Sequence, residues 1–148
     1  MNLPFPHANI VVGVLVLLVG FVFHWLGQLI CLCNWDLAAR IGLAERDIPP
    51  EYKDYELGMA AADVIIGWSY GLAGVGLLWG AAWGFRLAWI PGVVLTYHGL
   101  SFWFWSRNQR RAGHRLHSKS LRLGWFLANL VTGVLALLVA WWACRGLP

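Results

Sequence analysis

The sequence predicts an all-α integral membrane protein: a single membrane domain over residues 1–148, folded as an antiparallel bundle of four transmembrane helices with a short interfacial helix in the first cytoplasmic loop. Three observations carry this. Of the 148 residues 59% are hydrophobic and only 12% charged, whereas roughly a quarter of a soluble domain is charged. Four stretches of at least 20 residues carry no charge at all: Ile10–Cys33, Val64–Phe85, Leu87–Ser106 and Leu123–Cys144. About 20 apolar residues are what a helix needs to cross a hydrocarbon core of about 30 Å. The 11 Lys and Arg cluster between alternate stretches. So few charges do not shield this much apolar surface from water, which excludes a soluble globular enzyme.

The first helix is expected over about 10–33. A cleaved signal peptide is not expected there, because the first 35 residues contain no Lys or Arg and the apolar run outlasts an h-region. Leu37, Ile41 and Ala44 recur at i, i+4 and i+7, so Trp35–Arg46 reads as a short helix lying on the membrane surface and as the partner-docking element. The second helix is expected over about 58–85, starting near Pro50 or Gly58, since Pro49-Pro50-Glu51 supplies a breaker and then a first-turn proline. The third and fourth are expected over about 87–106 and 123–144.

Nine Lys and Arg fall in the loops 34–57 and 107–122, and only Arg86 and Arg145 fall on the other side. By the positive-inside rule both long loops are cytoplasmic and both termini lie outside, in the plasma (inner) membrane. The loops differ in sign: the first carries a net −3, with Asp47 among its acids, and the third +6, with Arg115 among its cations. Exposed pairs between them contribute little in water. The basic loop is read as setting topology or touching anionic lipid, with no nucleic-acid role. Most of the 11 Trp lie near predicted helix ends, as an interfacial aromatic belt requires.

The residues a lipid-facing helix should not contain are the informative ones. They are His24 and Gln28 on the first span, Asp63 on the second, Tyr97, His98 and Ser101 on the third, and Asn129 and Thr132 on the fourth. Counted from the cytoplasmic helix ends, Gln28, Asp63 and Ser101 lie about 8 Å deep, Asn129 about 9 Å, His98 about 12 Å, and His24 and Thr132 about 14 Å. They form one layer in the cytoplasmic half. Gly67 and Gly71 follow Asp63 at i+4 and i+8, and Gly76, Gly80 and Gly84 continue at the same step. Small residues mark where membrane helices approach closely, so Asp63 is expected to face a neighbour across this glycine stripe. His98 lies about 120° from Gly92 around its helix and is expected to flank the seam.

An ionisable group at this depth costs roughly 2.5–3.5 kcal/mol and persists when paired or functional. One reading of the layer is structural, with Asp63 accepting hydrogen bonds from Gln28, Ser101, Asn129 or a His. The other is a polar pocket, open to the cytoplasm, for a ligand, metal or proton. His24 and His98, at similar depth on two parallel helices, are candidate ligands for haem b or, with Asp63, for a metal ion. His7, His114 and His117 are expected in solvent. Cys31 and Cys33 point about 200° apart on a helix, which disfavours chelation, and Cys144 stands alone on the outer side, without the outward pair a membrane disulfide oxidase needs. No phosphate loop, Gly-x-Ser-x-Gly or His-Glu-x-x-His motif points to an enzyme.

Three functions follow as expectations. The first is a non-enzymatic accessory subunit or ligand-binding module, in contact with the lipid bilayer and part of a homo-oligomer or a larger membrane complex. The second is an oligomeric proton- or ion-coupled carrier built around Asp63. The third is a redox protein using His24 and His98.

Overall fold

A computed structural model describes residues 5–46, 48–114 and 116–145. Asp47, Arg115 and the residues at both ends lie outside the described residues. The described chain is helical, with no strand among the described residues: α1 (Ala8–Cys33), α2 (Trp35–Arg40), α3 (Pro50–Leu78), α4 (Ala82–Leu87), α5 (Trp89–Arg111) and α6 (Lys119–Arg145). α1, α3 and α6 are long and apolar enough to cross a membrane, which makes this a membrane protein. That is one fewer than the four equal spans expected. α5 has the length, at 23 residues, but its Trp, Tyr, His, Thr, Ser and Pro hold it below the apolar average of the other three.

α1 packs along α3 and α5 along α6, and the two pairs meet through α1 against α6 and α3 against α5. Small residues set the approach. Leu17, Phe21 and Trp25, spaced by four along α1, seat on Gly74, Gly71 and Gly67 of the antiparallel α3. A Cβ on Gly74 would lie 2.6 Å from Leu17 and one on Gly71 3.0 Å from Phe21. The middle of α1, Val16–Trp25, is wound as a π-helix. A four-residue repeat drifts by about 40° per step on a regular α-helix. Across the change from α- to π-helical winding Val12, Val16, Gly20 and His24 are all buried. Of the three apolar helices α3 buries the largest share of its apolar window, 44% against 33% for each of the others.

Two boundaries differ from the expectation. The second helix begins at Pro50, the earlier of the two starts expected, with proline at its first turn, but it does not reach 85: it stops at Leu78. Gly80 takes φ 64, the left-handed region that glycine adopts without a Cβ clash, and turns the chain into α4. Asn9 closes the end of α3 by donating from Nδ2 to the Leu77 carbonyl at 3.0 Å. Gly76 and Gly84 therefore do not share one continuous stripe but lie back to back across this turn, backbone against backbone. Gly80, in the turn, is exposed.

The helix expected over Trp35–Arg46 ends at Arg40, capped at its start by Asn34 Oδ1, which accepts from the Leu37 N–H at 3.0 Å. Leu37 and Ile41, expected on one face with Ala44, are exposed, whereas Ala38, Ala39 and Ala44 are buried with Cys31 and Ala60. A left-handed Gly42 (φ 82) breaks the period. The first and third loops meet at His117: both Glu45 carboxylate oxygens accept from its N–H, at 2.9 and 3.0 Å. His117, expected in solvent, is thus half-buried, its Nε2 3.2 Å from the Ala44 carbonyl.

Candidate functional site

Asp63 sits one turn before Gly67 on the glycine face of α3, and this position aims its carboxylate at α1. Trp25 locks the register by donating from Nε1 to the Val64 carbonyl at 3.0 Å while its ring stacks on Phe21, centroids 4.7 Å apart. The residue before Trp25 is His24, whose Nε2 lies 3.4 Å from Asp63 Oδ2. From α5, His98 brings Nδ1 to 3.6 Å from the same oxygen. The two imidazoles meet edge to face, centroids 4.3 Å apart. Asp63 and His24 are 6% and 4% exposed, and His98 is half-buried. Three helices thus converge three ligand-type side chains on one point, with the ligand atoms all within 4.8 Å of one another.

The spacing is informative. A good hydrogen bond to a carboxylate from a nitrogen has a heavy-atom distance of about 2.7–3.2 Å, and both contacts are longer. His24 Nε2 and Asp63 Oδ2 are buried without a hydrogen-bond partner among the described residues. Buried polar groups are paired as a rule, and an exception calls for an explanation. A metal ion bound about 2.05 Å from each of its ligands in tetrahedral array has ligand atoms about 3.35 Å apart, close to the 3.4 and 3.6 Å of the two pairs that share Asp63 Oδ2, with all three ligand atoms within 4.8 Å. One carboxylate with two imidazoles suits zinc and its neighbours rather than calcium or magnesium. Haem fits less well than the sequence allowed, because rings in edge-to-face contact leave no slot for a macrocycle between them.

The other residues expected in the layer divide. Gln28 and Asn129 line a cavity of about 100 Å³ together with His24 and His98. Neither bonds to Asp63: Asn129 donates from Nδ2 to the Trp125 carbonyl at 2.8 Å, and its buried Oδ1 has no partner among the described residues. Ser101 and Thr132 stand apart from the cavity lining; Ser101 is half-buried and Thr132 is packed between helices at 1% exposure. Tyr97 faces outward. The expected hydrogen bonds from Gln28, Ser101 and Asn129 to Asp63 are therefore absent among the described residues, and histidines take their place. His98, expected beside the seam, lies in it, because α5 approaches α3 as well as α6. The same cavity is also lined by Glu45, Tyr52, Glu56, His117 and Arg122, from the end of the bundle carrying the two long loops.

Tyr70 belongs to this neighbourhood and was not singled out from the sequence. It is fully buried, its ring 6.0 Å from that of His24 and its hydroxyl without a partner among the described residues. The signal was present: Tyr70 is seven residues after Asp63, two turns along the same face. The chain matches no protein-family model, no curated protein and no solved structure, so what this site does is read from its own chemistry.

Proposed function

We propose that this chain is a non-enzymatic, ligand-binding membrane protein whose ligand is a divalent transition-metal cation, held inside the bundle by His24 Nε2, Asp63 Oδ2 and His98 Nδ1. The observation that carries the reading is the ligand-atom spacing of 3.4 and 3.6 Å between buried groups, two of which have no hydrogen-bond partner among the described residues. Three protein ligands leave a fourth coordination position for water or an exchanging donor. The cavity reaches from the histidines toward the long loops and supplies a route, with Glu45 and Glu56 on its wall beside Arg122. An ionised Asp63 at this depth is costly alone, and a bound dication offsets that cost directly.

In this reading α5 is a fourth span, less apolar in part because His98 faces the bundle, and loops 34–57 and 107–122 are cytoplasmic, so the cation enters from the cytoplasm. A bundle this small encloses little room for a continuous path of its own, which favours a homo-oligomer or a subunit of a larger membrane complex. The test is a Co²⁺ titration of the purified chain in detergent, with metal content measured in parallel. One ion per chain is expected, with the strong visible absorption of tetrahedral cobalt, lost in His24→Ala and Asp63→Ala. A featureless spectrum, or one unchanged in both variants, refutes the proposal.

A further inference from the structure

A second cavity, of about 410 Å³, lies between the last turns of α5 and the first turn of α6, and its lining has a single sign of charge. Arg107, Arg110, Arg111, Lys119 and Arg122 line it, and no acidic side chain does among the described residues. Four of the five cations are exposed. Arg122 is not: it is 5% exposed, donating from Nη1 to Ser106 Oγ at 3.1 Å and from Nε to the His117 carbonyl at 3.2 Å. Both acceptors are neutral, and among the described residues none of the five cations forms an ion pair with a carboxylate. Glu45, which shares the wall of the first cavity with Arg122, accepts from the His117 N–H and forms no ion pair with Arg122.

Both hydrogen-bond partners of the buried guanidinium are neutral, and although Glu45 acts on its charge from the wall of the first cavity, Arg110 repels it, so the charge is compensated only in part. Placing four more cations around the same space adds like-charge repulsion that an anion would relieve. Ser106 holds the buried guanidinium in place through its own bond to the Trp103 carbonyl at 3.0 Å. The depth of the cavity indicates the class of anion. The uncharged stretch of α5 ends at Ser106 and the charged turns begin at Arg107, and Trp103, whose ring type favours the headgroup boundary, forms part of the wall. The space therefore sits at the level where phospholipid phosphates lie. A phosphomonoester carries about −1.5 to −2 charges at neutral pH and matches the arginine fork in geometry, so it answers this cluster better than a singly charged carboxylate.

We infer that the cavity between α5 and α6 is a phosphate-binding site, built around buried Arg122 and suited to a phosphomonoester headgroup, that of phosphatidic acid in the loop-side leaflet. Metal binding at Asp63 is not required for it.

Thermal unfolding of the full chain in neutral detergent tests this, with micelles doped with phosphatidylcholine or phosphatidic acid, or with orthophosphate added to the buffer. Phosphatidic acid is expected to raise the melting temperature and phosphatidylcholine to leave it unchanged. In Arg110→Gln/Lys119→Gln the apparent affinity for phosphatidic acid should fall about 30-fold, the factor for two cations at roughly 1 kcal/mol each. Both side chains are exposed, so this variant keeps the fold. The charge-matched control Arg40→Gln/Arg86→Gln, away from the cavity, should keep the wild-type response. A rise with orthophosphate showing the same variant dependence supports the site and assigns it to a soluble phosphate. An equal response to the two lipids, or an equal loss in both double variants, overturns the inference.

Discussion

Replacing Gly67 by Ala tests the link between helix packing and the His24–Asp63–His98 cluster. A Cβ at position 67 would lie 2.6 Å from Trp25 Cδ1, 3.1 Å from its Cγ and 3.2 Å from its Cβ. The last two atoms are near the Trp25 backbone and move little when the ring turns, so α1 and α3 must separate locally. Trp25 also stands to lose its bond to the Val64 carbonyl. Overpacking costs about 1–3 kcal/mol and a lost hydrogen bond about 0.5–1.5 kcal/mol, against a gain of about 1 kcal/mol for Gly→Ala in a helix. The expected net loss is about 2 kcal/mol. Gly58→Ala, on the same helix with nothing within 4 Å of the added carbon, receives the helix gain alone. The two variants should therefore differ by about 3 kcal/mol in detergent unfolding. Because His24 adjoins Trp25 and Asp63 lies one turn from Gly67, Gly67→Ala should also weaken Co²⁺ binding, which Gly58→Ala should not. In a Trp25→Ala background most of the cost of Gly67→Ala should disappear, as expected for residues in contact. If Gly67→Ala is as stable as Gly58→Ala, the account of the α1–α3 seam is wrong.

Asp63→Asn should fold and lose Co²⁺ binding, whereas Asp63→Leu should lose both binding and stability, since it crowds a site lined by imidazole nitrogens that then face an apolar side chain; binding that survives Asp63→Asn, measured by metal content, would remove Asp63 as a ligand. Glu45→Ala strips the His117 N–H of its acceptor, at a cost of about 1–3 kcal/mol, and limited proteolysis within 112–118 should speed up; an unchanged rate would mean the two loops are held together otherwise. Gly71→Leu, facing Phe21 at 3.0 Å, should destabilise more than Gly124→Leu, whose added carbon meets nothing within 4 Å, as read from melting temperatures. With Cys31, Cys33 and Cys144 replaced by Ser, a cysteine at Ser118 should resist impermeant maleimide in intact cells and react after permeabilisation; reaction in intact cells would reverse the orientation drawn from loop charge.

Much of this protein was legible in its one-dimensional pattern. Length and hydropathy identify the membrane helices because the bilayer imposes a thickness on any crossing helix and admits few charges. The i, i+4, i+8 spacing of Asp63, Gly67 and Gly71 placed the acid on the packing face of its helix, since helical periodicity is a property of the chain alone. The same periodicity would have added Tyr70. Beyond one helix, pattern stops short. Gly76, Gly80 and Gly84 keep the four-residue step, yet a left-handed Gly80 ends the helix region between them, and only the fold shows Gly76 and Gly84 meeting across a turn. Trp35–Arg46 kept a helical period that Gly42 broke. The partners of Asp63 depended on how far α1, α3 and α5 are each rotated about their own axes. That rotation is set by all contacts at once: Trp25 in its glycine socket, the π-helical winding around His24, and α5 packed against two neighbours. Similar depth made five polar residues, Gln28, Ser101, Asn129, His24 and His98, candidates for Asp63, and tertiary packing brought the two histidines to it.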